Sequence, residues 1–122
     1  MVSYGVYRIL HLLGIFLVFV AVGGVAVHAG NGGHKSANAL RRQLAISHGI
    51  GLVLVIVAGF AMLARIGASP ASGWVMAKIV IWLLLGAATM LPYKARSLGG
   101  AMLALVPLLG AIAAYLAINK PF

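Results

Sequence analysis

Apolar residues in this chain do not alternate with polar ones. They come in four long stretches, separated by short breaks of glycine, polar and basic residues. The stretches cover about residues 6–28, 44–64, 73–91 and 98–118, that is Val6 to His28, Leu44 to Ala64, Gly73 to Leu91 and Leu98 to Ile118. About 20 residues rising 1.5 Å each cross a hydrocarbon core of about 30 Å. The pattern therefore predicts four transmembrane helices. Only short connections lie between them, so residues 1–122 read as a single membrane domain. Short connections force neighbours to run antiparallel. The expected fold is all-α, an integral membrane four-helix bundle in up-down-up-down order.

The breaks predict where each helix starts and stops. Ala29-Gly30-Asn31-Gly32-Gly33 cannot continue a helix without a large entropic cost. Ser36 or Asn38 can cap the second helix. Ser69-Pro70 reads as an N-cap followed by proline at the first helical position of the third. Pro92 is expected to end that helix, and Pro107 to kink the fourth. The small residues Gly14, Gly23, Gly24, Gly49, Gly51, Gly59, Gly86 and Gly110 read as helix-packing positions. The first stretch is longer than a signal-peptide core and is preceded only by Arg8, so it reads as a retained span.

Composition sharpens this picture. Mean hydropathy is +1.15. The chain has nine lysines and arginines and no aspartate or glutamate. Carboxylate proton relays, carboxylate metal ligands and internal side-chain salt bridges are thereby excluded. There is no cysteine, which excludes disulfides and thiol chemistry. The net charge of +9 raises nucleic acid as a partner. The cations sit at the span ends, however, where lipid headgroups are the natural counter-charge, so no nucleic acid is expected. Lys35, Arg41, Arg42, Lys94 and Arg96 fall at one end of the bundle; Arg8, Arg65 and Lys120, with Lys78 deeper, fall at the other. The positive-inside rule then puts the two more basic connections in the cytoplasm and both termini outside.

Ionisable groups inside a span are costly and suggest function. The candidates are His11, His28, His48 and Lys78. His28 and His48 lie toward the same end of consecutive antiparallel helices. Facing imidazoles in a bundle can hold the iron of a b-type haem. Gly24 and Gly51 each lie about one turn from one of these histidines and would leave room for a macrocycle. Arg41 lies two turns before His48 on the same face, where it could meet a haem propionate. The competing expectation is that both are interfacial histidines bonding a carbonyl, water or headgroup. His11 lies too far along the helix to share a metal with His28; a structural hydrogen bond is the plainer role, with Met76 a distant second ligand. Lys78 shares a face with Trp74 and Trp82, so its ammonium can snorkel or lie on an indole.

Several of these residues fall into a layout. Arg42, His48-Gly49, Gly59-Phe60 and Leu63 are followed by Gly73-Trp74-Val75-Met76-Ala77-Lys78 and an apolar run, with Leu10-His11 early in the first helix. This resembles the small bacterial four-helix membrane proteins of the HemJ, CopD and SirB-like type. The resemblance implies a haem-linked or copper-linked function in a bacterial inner (plasma) membrane, and it gives weight to His11 and Lys78. Where HemJ-type proteins carry a further histidine late in helix three, this chain has Gly86-Ala87-Ala88-Thr89-Met90.

Three functions follow as expectations. The first is a protein holding haem b between helices one and two, for electron transfer or haem handling, with His28 and His48 as iron ligands and Arg41 as propionate partner. The second is a non-catalytic accessory subunit, packed against other membrane subunits or itself. The third is a small transporter or channel without carboxylate coupling. No catalytic residue is assigned. Ser47 and His48 are adjacent and point about 100° apart on a helix, and no acid can orient the imidazole.

Overall fold

The computed structural model describes residues 3–122. Every regular element among them is helical: α1 (Tyr4–Gly30), a single 3-10 turn (Lys35–Ala37), α2 (Arg41–Ile66), α3 (Gly73–Ala87), α4 (Leu91–Lys94) and α5 (Leu98–Asn119). Three of them, α1, α2 and α5, are long and apolar enough to cross a membrane. At 15 residues, α3 is shorter.

Local chemistry sets the ends. Ser3 caps α1 by accepting a hydrogen bond from the Val6 N–H. The helix stops at Gly30, and Gly32 turns the chain at φ +86°, a value that favours glycine. The Asn38 side chain accepts from the Leu40 N–H just before α2, whose N-cap is Leu40 without a side-chain bond. Asn38 therefore shapes the approach to the helix rather than capping it. Gly67 closes α2 in the left-handed conformation, and the Ala68 N–H reaches back to the Leu63 carbonyl. Gly67→Ala is expected to lower stability by about 1 kcal/mol, because a Cβ is strained at that φ. Thermal unfolding in detergent measures it, and an unchanged midpoint would count against a strained cap.

The third apolar stretch departs from its expected form. Ser69 and Pro70 do not start α3. The Ser69 hydroxyl and carbonyl accept from Ala71 and Ser72, forming a separate turn, and α3 begins at Gly73. Nor does Pro92 end it. The helix stops at Ala87, turns through Ala88–Met90, and resumes as the short α4 with Pro92 in its first turn. Proline is at home there because first-turn N–H groups need no helical partner. The break also lets Ala88 and Pro92 become buried. By contrast α5 runs unbroken through Pro107.

The helices meet in antiparallel registers. On α1 and α2, Gly14 lies against Gly51, Leu17 against Ser47 and Gly24 against Leu44. On α2 and α3, His48 meets Leu85 and Leu52 meets Trp82. On α1 and α5, Ala26 and Gly30 meet Gly99, and Phe19 meets Gly110. Helix α1 is central, packing on α2, α5 and α4. The core cluster is small: Val18, Val22 and Ala26 of α1 with Ala88, Met102 and Val106. Much larger apolar side chains point outward, among them Ile9 at 67% exposure, Phe16 at 61% and Leu108 at 58%. The α1 side of the interior is built from valine, alanine and glycine, while most large apolar side chains face outward.

Candidate functional site

One end of the bundle carries a half-open cleft of about 120 Å³ between α1, α2, α3 and α5. Tyr4, His11, Trp74, Lys78, Trp82 and Lys120 are its polar and aromatic lining. Four-residue steps put Trp74, Lys78 and Trp82 on one face of α3. His11 comes from the facing turn of α1.

His11 is fixed by its backbone neighbour. Its Nδ1 lies 2.9 Å from the Val55 carbonyl oxygen. A carbonyl only accepts, so Nδ1 carries the proton and the neutral ring keeps its lone pair on Nε2. This is how imidazoles that ligate metals are commonly oriented. Gly59 makes the placement feasible: a Cβ there would lie 3.3 Å from His11 Cε1. Met76 does not line the cleft and is half exposed, so it gives His11 no second ligand.

Lys78 is half-buried in the cleft, and no acidic side chain exists anywhere in the chain to meet it. The cation–indole contact anticipated for it belongs instead to Lys120, whose ammonium sits 5.3 Å from the Trp74 ring centroid. Trp82 donates its Nε1–H to the Leu52 carbonyl at 3.0 Å. Two ammonium groups, one imidazole and two indoles thus converge on an apolar hollow. That combination suits a ligand with a flat apolar body and an anionic head.

The structure does not bring His28 and His48 together. His48 Nε2 donates to the Leu85 carbonyl of α3 at 3.0 Å. His28 Nδ1 lies 2.8 Å from the Tyr93 hydroxyl of α4, with the two rings edge to face. The antiparallel register separates the two histidines by roughly 12–18 Å along α1. Nor is there a slot between α1 and α2 at the two expected glycines. Gly51 lies against the Gly14 carbonyl, and the space beside Gly24 holds the Leu44 side chain. The Arg41 guanidinium turns back to donate to the Ser36 carbonyl at 2.6 Å. Ser47 donates to the Leu17 carbonyl at 2.8 Å, so Ser47 and His48 serve different helices.

Sequence reasoning missed Tyr93. Its hydroxyl joins His28 to Asn38, whose Nδ2 donates to it at 3.1 Å. These partners lie 65 and 55 residues away, so no local signal could reveal them. Asn38 is only 9% exposed. Tyr93→Phe leaves both partners short of a bond and is expected to cost about 1–3 kcal/mol. Unfolding in detergent tests this against Tyr115→Phe, an exposed position with no expected loss; equal midpoints would dismiss the network.

Comparison with known proteins leaves these assignments to the residues themselves: no family model, no curated protein and no solved structure matches the chain.

Proposed function

We propose that this chain is a multi-pass membrane protein that holds an anionic, flat apolar ligand in the His11–Lys78 cleft, with haem b as the member of that class that also uses His11. The α3–α4 segment completes a fourth crossing beside α1, α2 and α5, in up-down-up-down order. The outward-facing large apolar side chains support a lipid surround, and among the described residues no buried side-chain nitrogen or oxygen lacks a hydrogen-bond partner. The basic connections are cytoplasmic and both termini periplasmic in a bacterial inner membrane, by the positive-inside rule.

The observation that carries the reading is that His11, Lys78 and Lys120 line one hollow, with the His11 ring anchored through Nδ1 rather than Nε2. The residues match a haem in two respects, one nitrogen donor for iron and two cations for propionates, while the half-open cleft of about 120 Å³ would take only one edge of the macrocycle, the rest lying on its open side. Bound haem would supply one-electron chemistry. The chain's own part is to fix the His11 ring through its Val55 bond, neutralise the acid groups and exclude water with the indoles.

The test is spectroscopic. Protein purified from haem-replete cells is expected to show a reduced-minus-oxidised b-type band that disappears in His11→Ala and persists in His28→Ala and His48→Ala. Metal-free protoporphyrin IX, which has the carboxylates without the iron, is expected to quench the intrinsic fluorescence; both tryptophans of the chain line the cleft. A wild-type protein that binds neither ligand returns the chain to the accessory-subunit reading.

A further inference from the structure

At the opposite end of the bundle, the α1–α2 and α4–α5 connections border a second, shallow and open concavity of about 550 Å³. His34, Lys35, Ser36, Arg41, Tyr93 and Arg96 line it. From this we propose that the concavity binds the phosphate of an anionic phospholipid, with the acyl chains running down the outer face of the bundle.

The two arginines are held in place by neutral partners. Arg96 donates from Nη1 to the Gly33 carbonyl at 2.7 Å and from Nη2 to His34 Nδ1 at 2.9 Å. Arg41 donates from Nη1 to the Ser36 carbonyl. These bonds fix the guanidiniums without cancelling their charge. Each guanidinium has five N–H donors, so several are left for a ligand. A planar fork of this kind matches phosphate oxygens.

The location is electrostatically unfavourable without an anion. Arg41 and Arg42 occupy the first turn of α2, which contains no acidic residue. The helix dipole is positive there, so cations in a first turn are destabilising. Arg96 and Lys35 come to the same place from other segments. Three basic side chains, Lys35, Arg41 and Arg96, therefore line the concavity beside a helix N-terminus, in a chain that has no carboxylate side chain to offset them. An anion from outside the chain removes that penalty.

The neighbourhood favours a lipid over a free oxyanion. Leu40, immediately before Arg41, is 58% exposed, and Leu91 beside Tyr93 is also exposed at this end. Both give an acyl chain an apolar surface within reach of the cations. The concavity also lies at the ends of the apolar helices, the depth at which headgroups sit in a four-span bundle.

Native mass spectrometry of the full chain in detergent, titrated with dioleoylphosphatidylglycerol or dioleoylphosphatidylcholine, tests the proposal. The wild type is expected to form a one-to-one complex with the anionic lipid about tenfold more tightly than with the zwitterionic one. The Arg41→Gln, Arg96→Gln double variant is expected to lose that preference, and Arg8→Gln, at the other end, to keep it. Should the double variant unfold, Arg41→Lys with Arg96→Lys retains the charge but loses the fork, and about half the preference in logarithmic terms is expected to go. Inorganic phosphate in excess is expected to leave the lipid complex intact. A wild type without lipid preference overturns the site, as does a preference that survives both double variants. Displacement by inorganic phosphate overturns the lipid assignment in favour of a free oxyanion.

Discussion

Gly14→Ala and Gly51→Ala are each expected to destabilise the bundle by about 1–3 kcal/mol, despite the better helix propensity of alanine. A Cβ at Gly14 would lie 2.8 Å from the Gly51 carbonyl oxygen and 2.9 Å from the Val55 nitrogen. A Cβ at Gly51 would lie 2.7 Å from the Gly14 carbonyl oxygen and 2.9 Å from the Val18 nitrogen. These are backbone atoms, which cannot rotate away as a side chain would. The helices would have to separate, and with them the central α1–α2 contact that also positions His11 against Val55. Gly23→Ala and Gly49→Ala are the controls: nothing lies within 4 Å of a Cβ at either. They are expected to be neutral or mildly stabilising. Since the two close glycines report one approach of the same helices, the double variant should cost less than the sum of its parts. Unfolding in detergent, followed by circular dichroism, reads the wild type and all five variants; equal midpoints for the Gly14 and Gly49 variants would sink the close-crossing account.

His11→Ala and Lys78→Met are expected to separate two modes of recognition in the cleft. On the proposed haem reading, loss of the imidazole removes the iron ligand, so haem affinity is expected to fall at least about 100-fold, while protoporphyrin IX affinity changes little. Loss of the ammonium removes a charge-assisted bond to a carboxylate, so both ligands are expected to weaken by about 10- to 100-fold. The readout is quenching of Trp74 and Trp82, the latter held in place by its bond to the Leu52 carbonyl. An unchanged titration for both variants would place the ligand elsewhere. Equal loss of both ligands in His11→Ala would mean that the ring shapes the cleft rather than ligating iron.

How much of the site was legible follows from the range of each interaction. The face shared by Trp74, Lys78 and Trp82 is a property of helical period, and it is the face that lines the cleft. His11 stood out as an ionisable group within an apolar stretch. What the sequence could not supply was register. Residues 11 and 78 meet only because α1, α2 and α3 pack at particular offsets, and Lys120 joins them from the far end of α5. The same offsets part His28 from His48, which sequence position alone placed toward one end, His48 about a turn deeper.

The sequence by itself determined the helical class, the apolar stretches and their approximate limits, the absence of carboxylate chemistry, and the clustering of cations at the helix ends. Each depends on composition or on a period of a few residues. Tertiary structure decided the rest. It sorted glycines that look alike in sequence into the crossing pair Gly14 and Gly51, the side-chain-filled Gly24 and Gly110, and the open Gly23 and Gly49. It broke the third apolar stretch at Ala88–Met90, where packing of Ala88 and Pro92 prevails over apolar continuity. It also drew Tyr93, Arg96, Arg41 and His34 into one cap. The physical reason is common to all three. Close packing and hydrogen bonds act over a few ångströms, between residues that the chain separates by tens of positions.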